Sequence, residues 1–168
     1  MDLEQLRQKY KSWVASISVS HEGFTQTIND PLNWTPLRKP LSQCRMAILS
    51  TGGVYCKAQK PFELDQRDGH QAGDPSYREV PSDTPANQLL AGHFRFNSTD
   101  ANEDINCLFP IDRVKELARD GVIGGYSRTF FGCFGFVPDP TPVVRETAPA
   151  IARKMQSEGV DIALLTPG

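Results

Sequence analysis

Apolar and polar positions alternate between two kinds of pattern along this chain. Leu3, Leu6, Tyr10, Trp13 and Val14 recur at helical spacing and predict a short helix over residues 1–16. Pro31, Pro36 and Pro40 punctuate residues 17–43, which read as an irregular wrap. The run Arg45-Met46-Ala47-Ile48-Leu49-Ser50 is nearly continuous in apolar character and stops at Thr51-Gly52-Gly53. That is how a buried strand running into a glycine turn reads. Residues 57–87 are polar and without period, broken by Pro61, Pro75, Pro81 and Pro85, and read as a long connection of the kind that carries function. Leu89 to Phe94 predicts a second short strand, and residues 97–104 another polar loop.

Pro110 opens a helix whose apolar face is Ile111, Val114, Leu117 and Ala118 and which ends at Gly121. Residues 122–137 interleave glycine with Tyr126, Phe130, Phe131, Phe134 and Phe136, as a strand or a packed loop. Thr141-Pro142 can start a further helix, with Val144, Ala148, Ile151, Ala152 and Met155 at helical spacing. Pro149 conflicts with that pattern unless the regular part begins at Thr147, which could cap it. Glu158-Gly159 ends this helix, and residues 160–165 form another buried strand before Thr166-Pro167-Gly168.

A helix, a short turn and an apolar strand make the second half of a βαβ unit. The fold class is therefore α/β: an open, mostly parallel sheet, Rossmann-like or flavodoxin-like. Residues 1–168 read as a single domain, with 1–43 an N-terminal helix and wrap and 44–168 the core. No helix returns across the sheet after residues 160–165, so the sheet is expected to be incomplete at its C-terminus. The alternative is an edge strand ending normally at the surface. The carboxyl ends of strands in such sheets are where ligands and catalytic groups gather.

Composition acts mainly by exclusion. With 168 residues, 39% hydrophobic, 13 glycines and a net charge of −2, the chain fits one globular domain and not wholesale disorder. No run approaches the ~18 apolar residues of a membrane-spanning helix. The charged N-terminus lacks a secretory core, so a cytoplasmic location is expected. There is no basic stripe for nucleic acid. Cys44, Cys56, Cys107 and Cys133 form no Cys-x-x-Cys and are expected to be reduced, partly buried thiols. His21, His70 and His93 are scattered, and no metal site is expected.

Several polar residues remain as candidates. Thr51, Gly52 and Gly53 can offer backbone N–H groups to a carboxylate, or form a plain tight turn. Arg78 can clasp a substrate carboxylate, or pair with Glu79 or another neighbour. His93, near a strand end, can move protons near neutral pH as the catalytic histidine, or be a satisfied structural one. Asp104 and Asn106 can cap turns or line the site. Cys56, just past the glycine turn, is either a surrogate nucleophile or a bystander. Thr166 and Gly168, at the end of the last strand, complete the candidate substrate-binding set, and the Phe130–Phe136 cluster reads as core or, alternatively, as a substrate cage.

Five segments carry a resemblance to a known family. They are Ile48-Leu49-Ser50-Thr51-Gly52-Gly53-Val54 with Lys57 and Pro61-Phe62; Gly73 through Pro81; His93-Phe94 with Asp104-Ile105-Asn106 and Phe109-Pro110; Asp112-Arg113 through Glu116-Leu117 and Gly121-Val122-Ile123-Gly124; and Ala152-Arg153 through Gly159-Val160-Asp161 to Leu164-Leu165-Thr166-Pro167-Gly168. In order and spacing this resembles the selenoprotein B group of the glycine, sarcosine, betaine and D-proline reductases. The resemblance implies an oxidoreductase subunit that cleaves a C–N bond α to a carboxylate. Its nucleophile is a selenocysteine or cysteine directly after the strand matching 160–165, with a second cysteine three positions on. It further implies a pyruvoyl group on a partner subunit, a small amino-acid or amine substrate, and a homo-oligomeric assembly. Neither the nucleophile nor the resolving thiol is in this chain, so the resemblance implies a sequence ended at a UGA codon read as a stop. The alternatives are an engineered truncation or a real short paralogue, and the alternative function is a non-catalytic module that binds a small carboxylate.

Overall fold

The computed structural model describes residues 35–63, 73–93, 98–135, 137 and 140–167. The helix expected over residues 1–16 and Gly168 lie outside them. The chain divides into two compact units, Met1–Pro36 and Leu37–Gly168, and the elements below belong to the second.

Strand β1 (Arg45–Ser50) is the centre of a five-stranded sheet. It pairs in parallel with β7 (Ile162–Thr166) along one side, from Met46↔Ile162 to Ser50↔Thr166. On its other side it pairs in parallel first with β5 (Gly125–Tyr126) and then with β6 (Thr129–Cys133). Strand β3 (Tyr77–Pro81) closes that side, antiparallel to β6. A separate two-stranded antiparallel sheet joins β2 (Val54–Cys56) to β4 (Leu89–Ala91). The expected α/β class and mostly parallel sheet are therefore present, with an antiparallel edge and a small second sheet added.

The core follows from the strand period. Phe130 and Phe131 are adjacent on β6, so they face opposite sides of the sheet, and both are fully buried. At β6, then, both faces are covered, as parallel strands require. Phe130 meets Phe109 edge-on with ring centroids 6.1 Å apart, and Ile111 and Val114 of helix α2 (Ile111–Arg119) join the same cluster. Gly132 lets β2 cross close by: a Cβ there would lie 1.8 Å from the Val54 carbonyl oxygen.

Four expectations need correction. The polar loop at 97–104 contains a short helix, α1 (Thr99–Glu103), which buries only Ala101 and so shows no apolar period. The long connection at 57–87 contains β3, an edge strand ending in Pro81, where a missing N–H is tolerated. The regular part of the last helix does start beside Thr147, but the Thr147 side chain does not cap it. Helical turns start at Thr141, widen into a π segment over Val143–Thr147, and become α3 (Ala148–Ser157) with Pro149 in its first turn. Thr147 is itself helical, and its hydroxyl donates to the Pro75 carbonyl at 2.6 Å. Finally, β7 is not buried on both faces. Its residues alternate between half-buried and exposed, and Leu165 is 67% exposed.

Candidate functional site

The parallel strands β1, β6 and β7 end side by side, and the segments that follow are stitched together there. The Thr51 amide donates to the Thr166 carbonyl at 3.0 Å, the Gly53 amide to Cys133 at 2.8 Å, and the Gly135 amide to Thr51 at 2.8 Å. The Gly52 amide donates to the buried Ser50 hydroxyl at 3.2 Å. Gly52 also bridges to Phe134. Gly53 adopts φ +68°, the left-handed region where glycine carries no Cβ penalty. Its carbonyl accepts from the Gly92 amide at 3.0 Å, which brings His93 to the same edge.

His93 is 8% exposed and stacks on Phe134, with ring centroids 4.5 Å apart and planes within 9°. Its Nε2 lies 3.4 Å from where a Cβ on Gly135 would sit. At the end of β7 the Thr166 hydroxyl oxygen is buried and has no hydrogen-bond partner among the described residues. A buried hydroxyl without a partner carries a desolvation cost that an incoming polar group would relieve.

The structure thus brings Thr51, Gly52, Gly53, His93 and Thr166 to one place. The three amides expected to cradle a carboxylate are each already spent on a protein acceptor, so this turn builds the edge and leaves no open nest. Arg78 is not there as a free cation. Its Nε donates to Lys60 O at 2.9 Å; Nη1 donates to Ser76 Oγ at 2.8 Å and Tyr77 O at 3.0 Å; Nη2 donates to Pro61 O at 3.1 Å and Asp74 Oδ2 at 3.3 Å. Its ion-pair partner is Asp74, not Glu79, and both side chains are largely buried. Burial pushes the Asp74 carboxyl up, but hydrogen bonds from Ser76 and the Glu63 amide, with the Arg78 charge, hold it below the ordinary value.

Asp104 and Asn106 take the capping role. Asp104 accepts from the Asn106 amide at 3.0 Å, and Asn106 Oδ1 accepts the Asp112 amide at 2.9 Å in the first turn of α2. Cys56 sits on β2 and is half-buried, and desolvation raises its pKa against a weaker opposing hydrogen bond from Thr84. Cys133, at the end of β6, is pushed up to about 11 by burial. Neither is a thiolate at neutral pH. Among the described residues no cluster of side chains could hold a metal ion. Sequence reasoning did not single out Phe134 from the Phe130–Phe136 cluster, because its bridge to Gly52 is a long-range contact with no local signal.

Residues 27–168 match the family model of glycine/sarcosine/betaine reductase selenoprotein B. The chain belongs to this family. It is 39% identical over 141 residues to D-proline reductase subunit gamma of Acetoanaerobium sticklandii, covering 84% of this chain and 55% of that protein. It is 25% identical over 130 residues to glycine reductase complex component B subunit gamma of Peptoclostridium acidaminophilum, covering 76% of this chain but 28% of that one. The corresponding subunit of Symbiobacterium thermophilum is 28% identical over 133 residues. This selenoprotein B family member therefore spans about half the length of the first relative and under a third of the glycine reductase subunits. No solved structure is detectably similar. Among the described residues no helix is long and apolar enough to cross a membrane.

Proposed function

We propose that this chain is the N-terminal part of a selenoprotein B-like subunit of an amino-acid reductase, with its selenol or thiol nucleophile placed just beyond Gly168. The observation that carries this reading is the shared end of β1, β6 and β7, where the backbone bonds Thr51–Thr166 and Gly92–Gly53 bring the unpartnered Thr166 hydroxyl and buried His93 to the same edge. Two further facts support it. The matched relatives are longer. The β7 edge also carries no charge or proline to blunt it, as an interior strand of a larger Rossmann-like or flavodoxin-like sheet would not need to.

In the reaction the C–N bond α to the carboxylate breaks. Nitrogen leaves as an amine, and carbon gains a proton and two electrons. The selenol–thiol pair that supplies the electrons ends oxidised and is restored by a dithiol reductant. A pyruvoyl group on a partner subunit would supply the carbonyl that activates the amine. This chain's own part is to seat the anion and move a proton. The Thr166 hydroxyl is free to donate to a chalcogen or carboxylate anion. His93, enclosed at the same edge, would deliver the proton. A cytoplasmic, homo-oligomeric subunit binding a small amino acid completes the reading. The alternative of a non-catalytic carboxylate-binding module has less support, because Thr51, Gly52, Gly53 and Arg78 spend their donors internally.

Sequencing the gene past the Gly168 codon tests the proposal. A UGA codon and an open frame with cysteine at the third position after it is the expected result. An ordinary stop with no coding sequence beyond would overturn it.

A further inference from the structure

We propose that Arg78 is a positioning residue for His93, acting through a continuous stack of rings. The Arg78 guanidinium carbon lies 4.3 Å from the centroid of Phe62. Phe62 tilts onto Phe134, with centroids 5.7 Å apart at 58°. Phe134 in turn lies parallel to His93 at 4.5 Å. Phe62, Phe134 and His93 are 7%, 5% and 8% exposed, so the stack is enclosed along its length.

Each member has little freedom. The guanidinium makes five hydrogen bonds to Lys60, Pro61, Asp74, Ser76 and Tyr77, which fix its plane as well as its place. That plane covers one face of Phe62. Phe134 is pinned by glycines: a Cβ on Gly73 would lie 2.2 Å from its ring, and one on Gly53 would lie 3.3 Å away. A side chain on Gly73 would collide with the ring, and one on Gly53 would crowd it. With Phe134 fixed, the parallel contact sets the plane of the imidazole, whose Nε2 lies beside Gly135.

The donors that sequence reasoning offered to a substrate carboxylate are thus spent on anchoring the far end of the stack. Its consequence for chemistry rests on the proposed role of His93 as proton donor, because a misaligned donor loses rate steeply with small displacements. The positional claim itself does not depend on that role.

Ring resonances of histidine-labelled protein test it in the 168-residue chain. His93→Gln assigns the His93 signals. In the unaltered chain the His93 ring protons should be displaced by the parallel Phe134 ring. In Arg78→Lys and in Phe62→Leu they should move toward the positions of unstacked histidine. Phe62→Tyr, which keeps the ring, should leave them in place. Thermal melting confirms that each variant folds. Should Arg78→Lys fail to fold, Phe62→Leu, which retains every Arg78 anchor, decides. Unmoved His93 signals in folded Phe62→Leu or Arg78→Lys protein would overturn the proposal. In the full-length reductase the same variants should lower kcat more than they raise KM. Absence of any reductase activity would remove the proposed function and leave the positional result standing.

Discussion

The Glu158 carboxylate accepts two hydrogen bonds from Thr129, one from its amide at 3.0 Å and one from its hydroxyl at 2.7 Å. This joins the end of α3 to the start of β6, at the opposite end of the sheet from the candidate site. Burial pushes the Glu158 carboxyl up. The two bonds from Thr129, one from the Arg128 amide and the Lys154 charge outweigh it and hold the group below its ordinary value. Asp74 is lowered in the same way. A carboxylate with a depressed folded pKa adds stability above its unfolded value, and that stability is lost as pH falls through the folded one. The urea midpoint should therefore hold steady from neutral pH down to about pH 5 and fall below about pH 4, the ordinary carboxylate range. Glu158→Gln should cost about 1–3 kcal/mol at neutral pH and flatten part of the acid limb. An unchanged acid limb in that variant would assign the pH dependence elsewhere.

Two glycines should respond to alanine for different reasons. At Gly132 the new Cβ would sit 1.8 Å from backbone oxygen of Val54, and neither strand can give way easily. Gly132→Ala should cost more than about 3 kcal/mol, the upper end of ordinary overpacking. At Gly121 nothing lies within 4 Å, but φ is +73°. Gly121→Ala should cost only about 1–2 kcal/mol, the left-handed penalty alone. Chemical denaturation of both variants checks the order, and equal losses would contradict it.

The cysteines should separate by burial. Cys44 is fully buried with its thiol against the Lys39 and Pro40 carbonyls, and burial raises Cys56 and Cys133. Cys107 is exposed. Iodoacetamide near neutral pH should label Cys107 first and reach Cys44 and Cys133 only after unfolding. Cys56→Ser should leave the rapid phase unchanged. Loss of that phase in Cys56→Ser would revive Cys56 as a reactive thiol.

What was legible in the sequence follows from how many constraints each residue obeys locally. Strand β1 and helix α2 bury enough apolar side chains to print their period. Gly121 and Gly159 mark helix ends because both need positive φ, at +73° and +69°. Helix α1 and strand β3 bury one residue each, Ala101 and Val80, so no period shows. The Thr147 hydroxyl bonds to Pro75, a partner 72 positions away that no local pattern announces. At the candidate site, Thr51 and Thr166 were legible from the rule that strand carboxyl ends gather chemistry. Arg78 and Asn106 were each left with two readings, an internal partner or the site, because a side chain's chemistry is written at its own position but its partner is not. Asp74 and Asp112 are what they found.

The two edges of the large sheet are protected unequally, and this makes a final prediction. Strand β3 carries Arg78, Glu79 and Pro81, and the Gln59 side chain donates to the Glu79 carbonyl at 2.7 Å. Strand β7 reads Ile162-Ala163-Leu164-Leu165-Thr166, with no charge, no proline and, among the described residues, no partner beyond β1. Unblunted edges of this kind template association with other chains. The 168-residue chain should therefore self-associate with rising concentration in sedimentation velocity. Leu165→Lys, at a residue 67% exposed on β7, should suppress that association. Val122→Lys, at an apolar residue 45% exposed but in the turn after α2, should not. Equal suppression by both would make the effect one of net charge, and association unaffected by Leu165→Lys would place the contact on another surface.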